Sequence, residues 1–201
     1  MQTFLLKVQV LTLICLILFA VTHFTKNEVE AAPTPTKIIV PFTSLNSDVQ
    51  KEMVCLAENI YFEARNEPIE GMYAVAFVTM NRVQSESFPD TICDVVKQKT
   101  RVKNIGNSRV VCQFSWYCES KPKYISQNRL LTKDTNQVYN DILRLSIFFY
   151  VNYEIMKDPT MGAIFYHADY VNPRWKNVQK TVQIGRHIFY QDKGNRSDIT
   201  S

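Results

Sequence analysis

The chain has 201 residues, 46% of them hydrophobic and 21% charged, which leaves room for one domain of about 150 residues with a true core plus a leader. Its formal charge of +4 and pI near 8.7 suit a polyanionic target. Its Lys and Arg residues form no patch of the density nucleic acid demands, and neither an internal repeat nor a glycine-rich phosphate loop is present.

Residues 8–24, VQVLTLICLILFAVTHF, follow Lys7 and precede the polar TKNEVE. At about 15–17 residues the run is short for a membrane-spanning helix and long for a signal-peptide core. Val29-Glu30-Ala31 offers small residues for cleavage before Ala32. Residues 1–30 therefore read equally as a membrane anchor or a cleaved signal peptide, and both place the rest of the chain outside the cytoplasm. Residues 31–45, with three prolines among Thr and Ala, read as an extended tether. The main domain is expected over 46–191, followed by a polar, frayed tail at 192–201.

Within the domain, Ser47 to Gln50 (SDVQ) has the form of a capping box. Val49, Met53, Leu56 and Ile60 then recur at helical spacing and mark a buried face. At 100° per residue, Glu63 falls within roughly 20° of Leu56 and 40° of Val49. An acid on the last turn of an apolar stripe is desolvated, which raises its pKa toward that of a general acid. The ordinary alternative is a paired or solvent-reaching acid at a helix end. A second helix is expected over about 69–84, opened by Pro68. SESFPD is a turn, Asp90 caps a short helix to about Lys97, and KTRVKNIGNS (99–108) reads as an exposed loop or hairpin.

VCQFSWYC (111–118) reads as an extended segment in which Gln113 and Ser115 alternate with Phe114 and Trp116. It is either a core strand or a cleft lining that sets amide and hydroxyl partners beside an aromatic platform. Residues 134–156 predict the longest helix, with Val138, Ile142, Leu145 and Phe149 facing inward and Asp158-Pro159 ending it. GAIFYHADYVNPRW (162–175) carries Tyr166, His167 and Trp175; His167 and Asp169 lack a third metal ligand, so a structural or substrate-contacting His is expected and no metal. His187 falls in a final strand as a structural residue. Helices first, then strands with one long helix between, make an α+β fold. It comprises a mostly helical lobe and a small sheet-bearing lobe around a cleft, preceded by the N-terminal hydrophobic helix. Outside the leader stand Cys55, Cys93, Cys112 and Cys118. An even count in an exported chain points to disulfides with three possible connectivities, of which Cys112–Cys118 with Cys55–Cys93 is favoured. A zinc site lacks paired C-x-x-C spacing, and a nucleophilic Cys lacks an indicated His.

IYFEARNEP (60–68) followed by IEGMYAVAFVTMNRV (69–83) resembles the signature of cell wall hydrolases of the spore cortex-lytic (SleB) type, which typically read Y-x-E-A-R-G-E-P and then V-A-x-V-x-x-N-R-V. The likeness continues through SFPDTICDVV (87–96), VCQFSWYC, GAIFYHADYVNPRW and IGRHIFYQ (184–191), covering about residues 50 to 191. The resemblance implies an exported enzyme, with no cofactor, that cleaves the glycan strand of peptidoglycan beside N-acetylmuramic acid. Its partners are those strands and, if the leader stays uncleaved, the membrane through residues 8–24. It implies Glu63 as the catalytic acid and a single-acid lytic transglycosylase, with Gln113, Ser115, Trp116, Tyr166 and His167 positioning the glycan. The rivals are a water-using muramidase-type hydrolase with Glu70 or Asp169 as second acid, a non-catalytic envelope-binding module, and a metal-dependent amidase. Asn66 stands where the family usually has Gly, a change that a left-handed helix terminus tolerates.

Overall fold

The computed structural model describes residues 38–104, 107–119 and 133–194. The leader, the first part of the tether and the end of the tail lie outside the described residues. The last part of the tether is held: the Ile38 amide donates to Asn152 Oδ1, and Asn152 Nδ2 donates back to Ile38 O at 2.7 Å. Val40, Phe42 and Leu45 pack on the main core.

Helix α1 (Ser47–Ala64) is the hub of the helical part. Its N-cap is Asn46, whose Oδ1 accepts from the amides of Asp48 and Val49 at 3.1 and 2.9 Å. That displaces the capping box expected at Ser47, and Gln50 instead reaches back to Leu45 O at 2.7 Å. Met53, Leu56 and Ile60 are fully buried. Helix α2 (Ile69–Val83) begins directly after Pro68, which takes the cap position. Helix α3 (Ile92–Lys97) is capped by Thr91, one residue past the expected Asp90, through Oγ1 to the Asp94 amide. The Cys55–Cys93 disulfide binds α1 to α3, and Glu52 Oε2 accepts from the Cys93 amide at 3.0 Å.

Helix α4 (Lys133–Asn152) ends in a 3-10 turn, Tyr153–Ile155, before Asp158-Pro159. Ile142, Ser146, Ile147, Phe149 and Asn152 are buried on it, whereas Val138 is 41% exposed. Ile142 and Phe149 lie on the buried face the sequence suggests and Leu145 packs on its edge, so only Val138 departs from it. The face starts a turn later because Tyr139, edge-on to Tyr61, takes the inward place.

Strands β1 (Lys99–Asn104) and β2 (Asn107–Cys112) form an antiparallel hairpin, one of the two options for KTRVKNIGNS. The extended reading of 111–118 fails beyond Cys112, because Ser115–Tyr117 is a 3-10 turn. The Cys112–Cys118 disulfide explains it: its Cα atoms are 5.7 Å apart, while six extended residues would span about 20 Å. Strands β3 (Phe165–Ala168), β4 (Val178–Ile184) and β5 (His187–Asp192) make an antiparallel sheet in the order β3-β5-β4. Phe189 on β5 is fully buried against Ala74, Val78 and Ala163. The fold is α+β, with a large helical core and a second small core under the sheet. Tyr166 packs against both.

Candidate active site

Two helix ends and one strand converge on Glu63. It occupies the last turn of α1 and is half-buried. The Tyr166 hydroxyl, on β3, donates to Glu63 Oε2 at 2.9 Å across 103 residues of sequence. From the last turn of α2 comes Arg82, only 4% exposed. Its guanidinium lies between the rings of Phe88 and Phe114, with centroids at 5.3 and 4.8 Å, and its Nε donates to Ile164 O at 2.8 Å. Cation–π contacts and a carbonyl thus hold a buried charge in place of an ion pair.

Their electrostatics are coupled. Burial raises the pKa of Glu63, while the Tyr166 hydrogen bond and the Arg82 charge pull it back and Glu119 adds a further upward push. Burial lowers Arg82 to about 10, partly offset by Tyr166 and Glu63. Tyr166 is held well above its ordinary range by burial first and the Glu63 charge second. It therefore stays a hydrogen-bond donor throughout the working pH range. The result is an acid that keeps its proton more readily than a surface Glu, with a donor and a cation ready to stabilise the carboxylate once the proton leaves.

The supports of this cluster are polar and local. Asn81, beside Arg82, donates to Asp158 Oδ2 and Ala163 O, both at 3.0 Å. Asp158 in turn accepts from the Thr160 and Gly162 amides at 2.7 Å. Met161 and Gly162 carry positive φ of 58° and 76°, turning the chain into β3 and so aiming Tyr166. On the other side, Glu67 Oε2 accepts from the Arg186 amide at 2.9 Å, tying the α1–α2 turn to the β4–β5 turn.

The remaining residues singled out by sequence are placed differently. Trp116 is stacked on Phe62 (4.5 Å, 17°), next in sequence to Glu63, and its Nε1 donates to the buried Asn59 at 3.0 Å. One indole face and its only donor are therefore occupied. Gln113 and Ser115 are exposed on the same disulfide loop. Both His167 nitrogens are engaged, Nδ1 with Ala168 O at 2.8 Å and Nε2 with the Tyr190 hydroxyl at 2.9 Å, and its ring stacks on Tyr190. Glu70 is exposed in the first turn of α2, and Asp169 faces Arg186 at 3.5 Å. Neither is among the charges acting on Glu63; Glu119, just beyond Cys118, is. Among the described residues, no group of three or more His, Cys, Asp or Glu side chains could hold a metal ion.

Residues 66–190 match the family model described as Cell Wall Hydrolase. The chain belongs to the cell wall hydrolase family. The matched span of this cell wall hydrolase holds Arg82, Tyr166 and His167 and begins three residues after Glu63, so the case for Glu63 rests on its own geometry. A spore cortex-lytic enzyme of Halalkalibacterium halodurans is 40% identical over 152 residues, covering 75% of this chain and 36% of that protein. One from Bacillus cereus is 26% identical over 146 residues, covering 72% and 46%. The chain thus spans less than half the length of these relatives. Among solved structures, the catalytic domain of the Bacillus cereus SleB protein matches with TM-score 0.44 and 22% identity, over 81% of this chain and 99% of that one. The catalytic domain of the germination-specific lytic transglycosylase SleB from Bacillus anthracis matches with TM-score 0.44 and 26% identity, over 76% and 100%.

Arg82 is the member of the Glu63 cluster that the sequence reading missed, though its signal is the one that exposed Glu63. At 100° per residue it lies roughly 20° from Val75 and 40° from Val78 on the wheel of α2, a charge on an apolar stripe.

Proposed function

We propose that this cell wall hydrolase degrades peptidoglycan, cleaving the glycan strand beside N-acetylmuramic acid as a lytic transglycosylase with Glu63 as its one acid–base group. The observation that carries this reading is the buried Glu63 with a Tyr166 donor on Oε2 and the Arg82 cation nearby. A lone carboxylate can serve both proton transfers only if both of its charge states are supported. Burial favours the acid; Tyr166 and Arg82 favour the carboxylate.

In the first step Glu63 gives its proton to the glycosidic oxygen and the bond from that oxygen to C1 of the muramic sugar breaks. The Glu63 carboxylate, held by Tyr166 and faced by Arg82, offsets the positive charge developing at C1. It then takes the proton of the C6 hydroxyl as that oxygen bonds to C1, closing a 1,6-anhydro ring. Glu63 ends protonated and no water is consumed. Tyr166 acts here as a positioning residue for Glu63. His167 holds the sheet through Tyr190, and Gln113, Ser115 and Trp116 form the loop wall beside the glycan.

A hydrolase is the second reading, and Glu119 is the observation that favours it. It is a second carboxylate whose charge reaches Glu63, as a water-activating base beside the acid would. We place the enzyme outside the cytoplasm, in agreement with its two disulfides and with a leader that is cleaved or anchors it. Among the described residues no helix is long and apolar enough to cross a membrane. Glu63→Gln tests the assignment: release of soluble fragments from purified sacculi should stop while the fold is kept. Near-normal release by that variant would falsify it.

A further inference from the structure

A groove of about 980 Å³ runs along the side of α1 that carries Lys51 and Glu58, and Glu63 is not part of its lining. Glu58 and Glu63 are five residues apart on α1, roughly 140° around the helix. The far wall is the Cys112–Cys118 loop, which contributes Trp116 and Tyr117. One residue past that disulfide, Glu119 acts on Glu63. Trp116, on that wall, stacks on Phe62, the residue before Glu63, so the groove and the acid lie on either side of one short, cross-linked loop.

On the groove side the aromatic residues are largely committed: Phe62 takes one face of Trp116, and the Lys99 ammonium caps Tyr117 at 4.8 Å. What the groove offers is charge of both signs: Lys97, Lys99 and a Lys51 already paired with Asp48 at 3.1 Å, beside Glu52 and the half-buried Glu58. Burial raises the pKa of Glu58 and Lys97 lowers it, so this carboxylate already depends on a cation across the groove. A ligand that carries carboxylates for the lysines and an amine for Glu58 would complete the set.

We propose that this groove binds the peptide stem of peptidoglycan, an acidic peptide containing a diamino acid, while the glycan that bears it lies at Glu63. The stem branches from the muramic sugar, so a strand positioned for cleavage sends that branch around the disulfide loop. The inference rests on the glycan reading of Glu63, but its test does not depend on lysis.

The probe is the soluble tetrapeptide N-acetyl-L-Ala-γ-D-Glu-L-Lys-D-Ala, its N-terminus acylated as in the stem, titrated into the oxidised protein and followed by calorimetry and by amide shifts of α1 and the 112–118 loop. Saturable binding is expected, weakened about tenfold in Lys97→Glu. Lys180→Glu, the same charge change on the exposed part of β4, should leave it unaltered. No binding at millimolar peptide, equal losses in both variants, or binding of peptide-free glycan that Lys97→Glu abolishes would each overturn the proposal. Peptide binding by a protein that lyses no sacculi would sink the enzymatic reading while leaving this one standing.

Discussion

Gly185→Ala probes the tie between the α1–α2 turn and the sheet that carries Tyr166. Gly185 sits at φ +55°, and a Cβ there would lie 1.9 Å from Glu67 Oε2 and 3.4 Å from Pro68 Cδ. Holding an Ala in the left-handed region costs about 1–2 kcal/mol. Glu67 can swing away from the methyl group, but it then loses the Arg186 amide, worth about 1 kcal/mol for an exposed, charge-assisted bond. Gly185→Ala should therefore destabilise by about 2–3 kcal/mol, and Glu67→Ala by about 1 kcal/mol. The double variant should cost about the same as Gly185→Ala alone, because the hydrogen bond is lost only once. Urea denaturation of the oxidised proteins reads all three. A Gly185→Ala loss under about 0.5 kcal/mol, or a double variant that sums the singles, would refute the contact. Because β5 pairs with β3, lysis should fall along with stability.

Four other variants report on the site and its frame. Tyr166→Phe removes the donor to Glu63, so the form of the enzyme with Glu63 protonated should persist to higher pH. The maximal rate should drop roughly tenfold or more as the carboxylate loses a charged hydrogen bond; a pH–rate profile that stays put or moves down contradicts this. Glu63 has a raised folded-state pKa, so its contribution to stability is full below its unfolded pKa and is lost as pH rises through the folded value. Melting temperatures of Glu63→Gln and the natural protein should accordingly converge in acid and separate toward neutral pH in favour of Gln. Parallel curves would refute the burial argument. Replacing Cys55 and Cys93 by Ser opens a 38-residue separation, against 6 for Cys112 and Cys118. The respective losses should be about 4 and about 2 kcal/mol by chain entropy, and the reverse order in urea unfolding would tell against it.

What the sequence made legible was local. Glu63 stood out because helical periodicity puts it on an apolar stripe, and its burial follows from the same geometry. The helices, the final strand and the Cys112–Cys118 pairing are near-neighbour patterns too. The extended reading of the segment around Trp116 failed because alternation was read without the constraint of its flanking disulfide, which forbids an extended chain. Asn46 took the cap from Ser47 because either can cap and only packing of the preceding residues decides. The Tyr166–Glu63 and Arg186–Glu67 bonds join residues 103 and 119 apart, and no local pattern encodes such pairings. Glu119 acts on Glu63 only because a cross-linked loop folds back, which also explains why Glu70 and Asp169 drew attention instead.

The measurement that bears most directly on the central claim is mass spectrometry of soluble fragments released from purified sacculi by the oxidised protein, beside Glu63→Gln. Anhydro-muramic ends from the natural protein, and none from the variant, are what single-acid transglycosylation by Glu63 predicts. Reducing ends would contradict it and turn attention to Glu119 as the water-activating carboxylate.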